Sequence, residues 1–153
     1  MPGSQRRLSW PCEDQTRAFT QALARRPGLA HAFIELRGEL GSGKTTLVRH
    51  LLQALGVSGR IKSPTYAVVE PHAVPGLDIW HFDFYRFNDP REWEDAGFRD
   101  IFGGPGLKLA EWPEKAGPLL PRADLVIRIH TDADEARQVL LTAQTPLGQE
   151  LLP

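Results

Sequence analysis

The clearest chemistry in this chain lies in Gly38-Glu39-Leu40-Gly41-Ser42-Gly43-Lys44-Thr45, which is G-x-x-x-x-G-K-T without a mismatch. This spacing is that of a phosphate-binding loop, and each residue type has a physical reason. Glycines let the backbone take positive φ and wrap closely around a phosphate. The wrapped N–H groups form an anion-binding nest. A helix that follows adds unpaired amides and the positive end of its dipole. Lys44 brings a full charge to the terminal phosphates. Thr45 brings a hydroxyl to Mg²⁺, a hard cation that takes oxygen ligands.

Such a loop must join a buried strand to a helix. His31-Ala32-Phe33-Ile34-Glu35-Leu36 reads as the strand, rich in apolar and bulky residues. Residues 46–55 read as the helix: Leu47, Val48, Leu51, Leu52 and Leu55 share one face, and Gly56 supplies the stop.

Two acids could serve the same phosphates. Asp83 lies in the aromatic-rich strand candidate 78–87, between Phe82 and Phe84. A buried aspartate is costly unless paired or near a metal. In phosphate-loop enzymes an acid at a strand end holds Mg²⁺. A structural pair with Arg86 or His81, or a place on a wet strand face, would account for it equally well. Glu111 ends the strand candidate Leu107-Lys108-Leu109-Ala110, and ligands of parallel α/β sheets sit at carboxyl ends of strands. On position alone an ordinary exposed acid at a strand end is the commoner case. Thr65, after Ser63-Pro64, is a candidate switch-like hydroxyl or plain turn chemistry. Thr16, in a helix expected over Glu13 to Arg26 with Ala18, Phe19, Ala22 and Leu23 inward, reads locally as a solvated residue.

The remaining segments complete an α/β pattern. Arg7 to Trp10 is a short edge strand, and Tyr66 to Glu70 a further strand. Asp89-Pro90-Arg91-Glu92 is a helix start, with Asp89 as cap and Pro90 at the first helical position. Phe98 to Phe102 forms a helical turn. Ala123 to His130 and Arg137 to Ala143 alternate as a hairpin. The expected sheet is parallel in the middle and antiparallel at one edge.

Composition narrows the function classes. A chain of 153 residues is expected to form a single domain over 1–153. A net charge of −1 provides no basic footprint for strong autonomous nucleic-acid binding. The single cysteine, Cys12, can form neither an internal disulfide nor a zinc site, which suits a reducing cytoplasm. No apolar run approaches the roughly 20 residues that span a bilayer.

Taken together, the helix with Thr16, Gly38 to Thr46, Ser63-Pro64-Thr65-Tyr66, His81-Phe82-Asp83-Phe84-Tyr85-Arg86 and Glu111-Trp112-Pro113-Glu114 resemble the bacterial TsaE (YjeE) family. The resemblance covers most of the chain. It implies a three-layer P-loop NTPase fold, with a central mostly parallel sheet, antiparallel edge strands and helices on both faces. It implies a small cytoplasmic ATPase, with ATP/ADP and Mg²⁺ as cofactors, that supports threonylcarbamoyladenosine formation in tRNA. Glu39, Leu40, Gly41, Ser42, Gly43, Lys44, Thr45 and Thr46 would bind the nucleotide. Thr16 would approach the adenine, reversing the local reading, and Trp112 would lie beside the site. Lys44 would act on the β/γ-phosphates, Thr45 and Glu111 would face Mg²⁺, and Asp83 would orient the metal shell or the attacking water. TsaD and TsaB are the implied partners, with tRNA met only indirectly and no membrane. Phe19 stands where the family more often has an aliphatic residue, a core exchange.

Two other functions share the loop. A small-molecule kinase needs a second substrate pocket and usually an arginine-bearing lid; the insert from Gly97 to Gly106 has one arginine. A nucleotide-gated binding switch shares every motif and differs only in how its partners respond to ATP and ADP. Arg86 and Arg99 are candidate arginine fingers without a recognisable finger context.

Overall fold

β2 (Phe33–Arg37) is the strand that delivers the phosphate-loop motif, and it lies in the interior of a seven-stranded sheet ordered β1-β7-β6-β2-β5-β4-β3. The computed structural model describes residues 3–61, 64, 68–87, 91 and 97–153. Thr65, most of the Ser63 to Tyr66 motif and the helix start at Asp89-Pro90 fall outside them. In chain order the elements are β1 (Gln5–Trp10), α1 (Glu13–Ala24), β2, α2 (Lys44–Ala54), β3 (Val69–Val74), β4 (Leu77–Asp83), α3 (Phe98–Gly103), β5 (Leu107–Glu111), β6 (Leu125–Thr131), β7 (Arg137–Ala143) and α4 (Pro146–Leu151).

The strands β6, β2, β5 and β4 pair in parallel. Antiparallel pairs stand at both edges, β1 with β7 and β7 with β6 on one side, β3 with β4 on the other. The sequence suggested only one antiparallel edge. The strand expected at Tyr66 to Glu70 overlaps β3 at Val69 and Glu70; β3 runs on through Pro71 to Val74, and an edge position tolerates a residue that cannot donate to the ladder. β4 is shorter than expected: it stops at Asp83, and the chain turns with Phe87 N–H donating to Phe84 O at 2.9 Å.

Successive strand residues point to opposite faces, so two cores form. On one face Ile34, Leu36, Leu109, Leu125 and Ile127 pack with Leu47, Leu51 and Leu52 of α2, Leu23 of α1 and Leu151 of α4. On the other, Phe33, Phe82, Ala110 and Val126 pack with Phe84, Phe87 and Phe98. The Phe82 and Phe98 rings meet edge to face at 5.3 Å. Helices thus cover both faces, α1, α2 and α4 on the first and α3 on the second.

α1 is rotated from the expected setting. Its inward residues are Thr16, Phe19, Thr20 and Leu23, an i, i+3, i+4, i+7 stripe, while Ala18 and Ala22 are exposed. Two small threonines carry the face that the alanines were expected to carry, and Thr20 satisfies its hydroxyl by donating to Arg17 O at 2.9 Å. α2 ends as its sequence implies: Gly56 takes φ 103°, Val57 N–H donates to Leu52 O and Gly56 N–H to Gln53 O.

Candidate nucleotide-binding site

Three neighbouring strands end at one place. β2 runs into the loop, β5 ends at Glu111, and β4 ends at Asp83, which is the register partner of Glu111. Because register partners on adjacent strands project to the same face, both acids stand beside the loop.

Two glycines of the motif are required, one by close contacts and one by its backbone conformation. A Cβ on Gly38 would lie 2.5 Å from Ile129 O and 2.6 Å from Ser42 Oγ. Gly43, at φ 111°, caps α2 in the left-handed region that other residues avoid. The Ser42 hydroxyl is buried and has no hydrogen-bond partner among the described residues. An orphaned hydroxyl among curled amides fits a site whose missing acceptor is a phosphate oxygen.

Lys44 is 4% exposed. Its ammonium donates to Gly38 O and, at 3.2 Å, to Glu39 O, and lies 3.9 Å from the centroid of the Trp112 ring. Burial lowers its pKa, and the charges of Glu111, Glu114, Asp83 and Glu39 push back upward. Trp112 sits in the left-handed region at φ 55°, rare for a non-glycine residue, and packs on Tyr85 with centroids 5.0 Å apart.

The acids differ. Glu111, 2% exposed, accepts from the Thr45 hydroxyl through Oε1 at 2.8 Å, and its Oε2 lies 2.6 Å from His81 Nε2. Asp83 is half-buried, and its Oδ1 accepts from Tyr85 N–H at 3.0 Å. Burial raises the Asp83 pKa, and the Glu111 charge raises it further; the Tyr85 N–H, His81 and Lys44 act in the opposite direction. Thr45, Glu111 and Asp83 present oxygen atoms to the cleft, the kind of ligand a hard divalent cation takes.

Two cavities share this ground. One, about 230 Å³, is lined by Leu40, Gly41, Lys44, Thr45, Asp83, Glu111 and Trp112 among others. The other, about 200 Å³, is lined by Trp10, Cys12, Glu13, Thr16, Ile129 and Glu135 among others. Ser42, Gly43, Thr46 and Arg137 line both, so they are two halves of one cleft. The first has the groups for phosphates and a cation. The second, walled by Trp10 and Thr16, has the mixed surface a base needs.

The structure therefore brings Thr16, Ser42, Gly43, Lys44, Thr45, Thr46, Asp83, Glu111 and Trp112 to one cleft. Glu39 contributes main chain: its carboxylate turns away, accepting from Thr131 N–H at 3.2 Å beside His130. Leu40 is 74% exposed at the loop tip. Arg137 is the residue that sequence reasoning missed. Its Nη1 donates to Thr131 Oγ1 at 2.6 Å, and register with Trp10 and Thr131 places it over Gly43. No local pattern marks it, because only pairing of distant strands brings it there.

Fold and site define the class: a mixed α/β protein built on a phosphate-loop motif, with paired acids at adjoining strand ends. The model of the family "Threonylcarbamoyl adenosine biosynthesis protein TsaE" matches residues 10–139. The chain belongs to the TsaE family. It is 46% identical over 119 residues to the tRNA threonylcarbamoyladenosine biosynthesis protein TsaE of Haemophilus influenzae, covering 78% of this chain and 75% of that one. It is 32% identical over 142 residues to the protein of the same name from Bacillus subtilis, covering 90% and 87%. The crystal structure of YdiB from Bacillus subtilis superposes with a TM-score of 0.81 at 25% identity, covering 99% and 93%. Among the described residues no helix is long and apolar enough to cross a membrane.

Proposed function

We propose that this chain binds and hydrolyses Mg-ATP, and that turnover supports threonylcarbamoyl transfer to tRNA adenosine by acting on a TsaD–TsaB complex. The observation that carries the enzymatic part is the Thr45–Glu111 hydrogen bond beside the Lys44 ammonium. A threonine hydroxyl has one hydrogen; given to Glu111, it leaves the oxygen lone pairs for a cation. Bound Mg²⁺ would supply charge neutralisation between the phosphates, with Thr45 and Glu111 holding it.

The chain's own groups do the rest. Loop amides and Lys44 hold the phosphates and stabilise charge that develops on them. Asp83 is the better candidate to orient water. It is half-buried at the strand end, and its raised pKa brings it nearer to working as a base at neutral pH. Both Glu111 oxygens are already engaged. Thr16, Trp10 and Arg137 would form the base-side wall, and the cleft would release ADP by the same open side. The partners and the tRNA step rest on the family, in which the relatives carry tRNA threonylcarbamoyladenosine biosynthesis in their names.

The test is ATP hydrolysis with and without TsaD–TsaB and tRNA, with Glu111→Gln and Asp83→Asn alongside the parent. Expected are Mg²⁺-dependent turnover that the TsaD–TsaB pair stimulates, and a fall in hydrolysis in both variants far larger than the fall in nucleotide affinity. Turnover indifferent to Mg²⁺ or to both substitutions would overturn the enzymatic reading. Turnover indifferent to TsaD–TsaB would overturn the partner.

A further inference from the structure

His81 stands two residues before Asp83 on β4, is 1% exposed, and takes no part in the phosphate or water chemistry described above. Register explains why it meets Glu111. His81 pairs with Leu109 across β4 and β5, so Glu111 lies one repeat further along the same face. On β4 and β5 that face is apolar behind the acids, with Ile79, Leu107 and Leu109 fully buried, while on β3 the exposed Glu70 is the register partner of His81 and the part-buried His72 that of Ile79. An imidazole among aliphatic neighbours is costly unless its N–H has a partner that needs it.

We propose that His81 is a positioning residue: its Nε2–H holds Oε2 of Glu111, so that Oε1 and the Thr45 hydroxyl are aimed at the divalent cation of the bound nucleotide. The proposal rests on reading Glu111 as the metal-side acid. A carboxylate at the end of a glutamate turns freely about its last torsion, which is broad and two-fold. Two donors on opposite oxygens remove that freedom: Thr45 Oγ1 on Oε1 at 2.8 Å and His81 Nε2 at 2.6 Å from Oε2. The remaining ring nitrogen agrees with this tautomer. His81 Nδ1 is buried without a partner among the described residues. Left as a bare acceptor it forgoes one bond, whereas a proton there would be an orphaned buried donor. Hydrogen bonds behind metal ligands orient the ligands and tune metal affinity.

Manganese reports this directly, because its binding to protein saturated with ADP can be titrated by electron paramagnetic resonance. ADP affinity is measured separately in EDTA. His81→Leu should lower Mn²⁺ affinity about 10- to 100-fold, while ADP affinity in EDTA stays within roughly twofold. His81→Gln places an amide N–H near the Nε2 position and should retain most Mn²⁺ affinity. His81→Asn reaches only the Nδ1 position and should not. If His81→Leu fails to fold, the Gln and Asn pair decides alone. Mn²⁺ affinity lost in Glu111→Gln but kept in the His81 variants overturns the positioning role and leaves the acid in place. Unchanged Mn²⁺ affinity in Glu111→Gln overturns the reading of the acid, and the proposal with it. Equal Mn²⁺ losses in the Gln and Asn variants, with weakened ADP binding in EDTA, would make His81 a packing residue and overturn the proposal.

Discussion

The two halves of the cleft are built in different ways. The phosphate half comes from one unbroken stretch, Gly38 to Thr46, plus the last residues of two neighbouring strands. Its groups already hold one another: Lys44 on two carbonyls and an indole, Thr45 on Glu111, Glu111 on His81. The base half comes from opposite ends of the chain, with Trp10 to Thr16 on one wall and Ile129 to Arg137 on the other. With a nucleotide bound as proposed, charge and preorganisation would dominate the first, and shape and single hydrogen bonds the second. A contiguous motif can be tuned residue by residue; an assembled wall depends on the sheet that assembles it.

Ligands of different length separate the halves. The largest effect is expected for Lys44→Ala, which should weaken ATP binding by about 2–4 kcal/mol, or roughly 30- to 1000-fold, and leave adenosine nearly untouched. Calorimetry showing equal losses for ATP and adenosine would erase the distinction. Next comes Arg137→Ala. A lost charged hydrogen bond costs about 1.5–3 kcal/mol, roughly 10- to 100-fold. Because Arg137 lines both cavities, ATP, ADP and AMP should all weaken, and an effect limited to ATP would move the guanidinium wholly to the phosphate half. Thr16→Val keeps shape and removes one hydroxyl, so a loss of about 0.5–1.5 kcal/mol is expected, the same for ATP, AMP and adenosine. A loss that grows with phosphate number would take Thr16 away from the base.

The smallest effect concerns stability. Burial raises the Asp83 pKa in the folded chain above its unfolded value. The folded state therefore binds more protons than the unfolded state between those two values, and stability falls as pH rises through that window. Asp83→Asn has no such fall. Without nucleotide it should melt higher than the parent at pH 8, by a few degrees at most, with the gain fading as pH drops to the ordinary carboxylate range. A gain that persists at pH 3 would have another cause than titration.

The same division governs what could be read from sequence. The loop, its strand and its helix were legible, because glycine spacing and a 3.6-residue apolar repeat are local signals. Glu111 was legible as a strand end, though not its burial. The setting of α1 was misjudged because two threonines, not two alanines, face inward, and the Thr20 hydroxyl, satisfied within the helix, disguises a buried face. β3 was legible only in its first two residues, Val69 and Glu70, because Pro71 and its polar neighbours hid the continuation to Val74. Arg137 was invisible, since its place depends on a register spanning β1, β7 and β6.

That register also sets an order of events. Among the described residues β1 pairs with β7 alone, with Gln5 opposite Thr142. On an emerging polypeptide, β1 must wait until Arg137 to Ala143 have been made. Closing so long a loop is slow, and contacts this distant form late. The phosphate loop, by contrast, has its strand and helix within about twenty residues of each other. A partly made chain can thus form the strand and helix of the loop before the wall of Trp10, Ile129 and Arg137 exists. That wall is acquired when β7 captures β1.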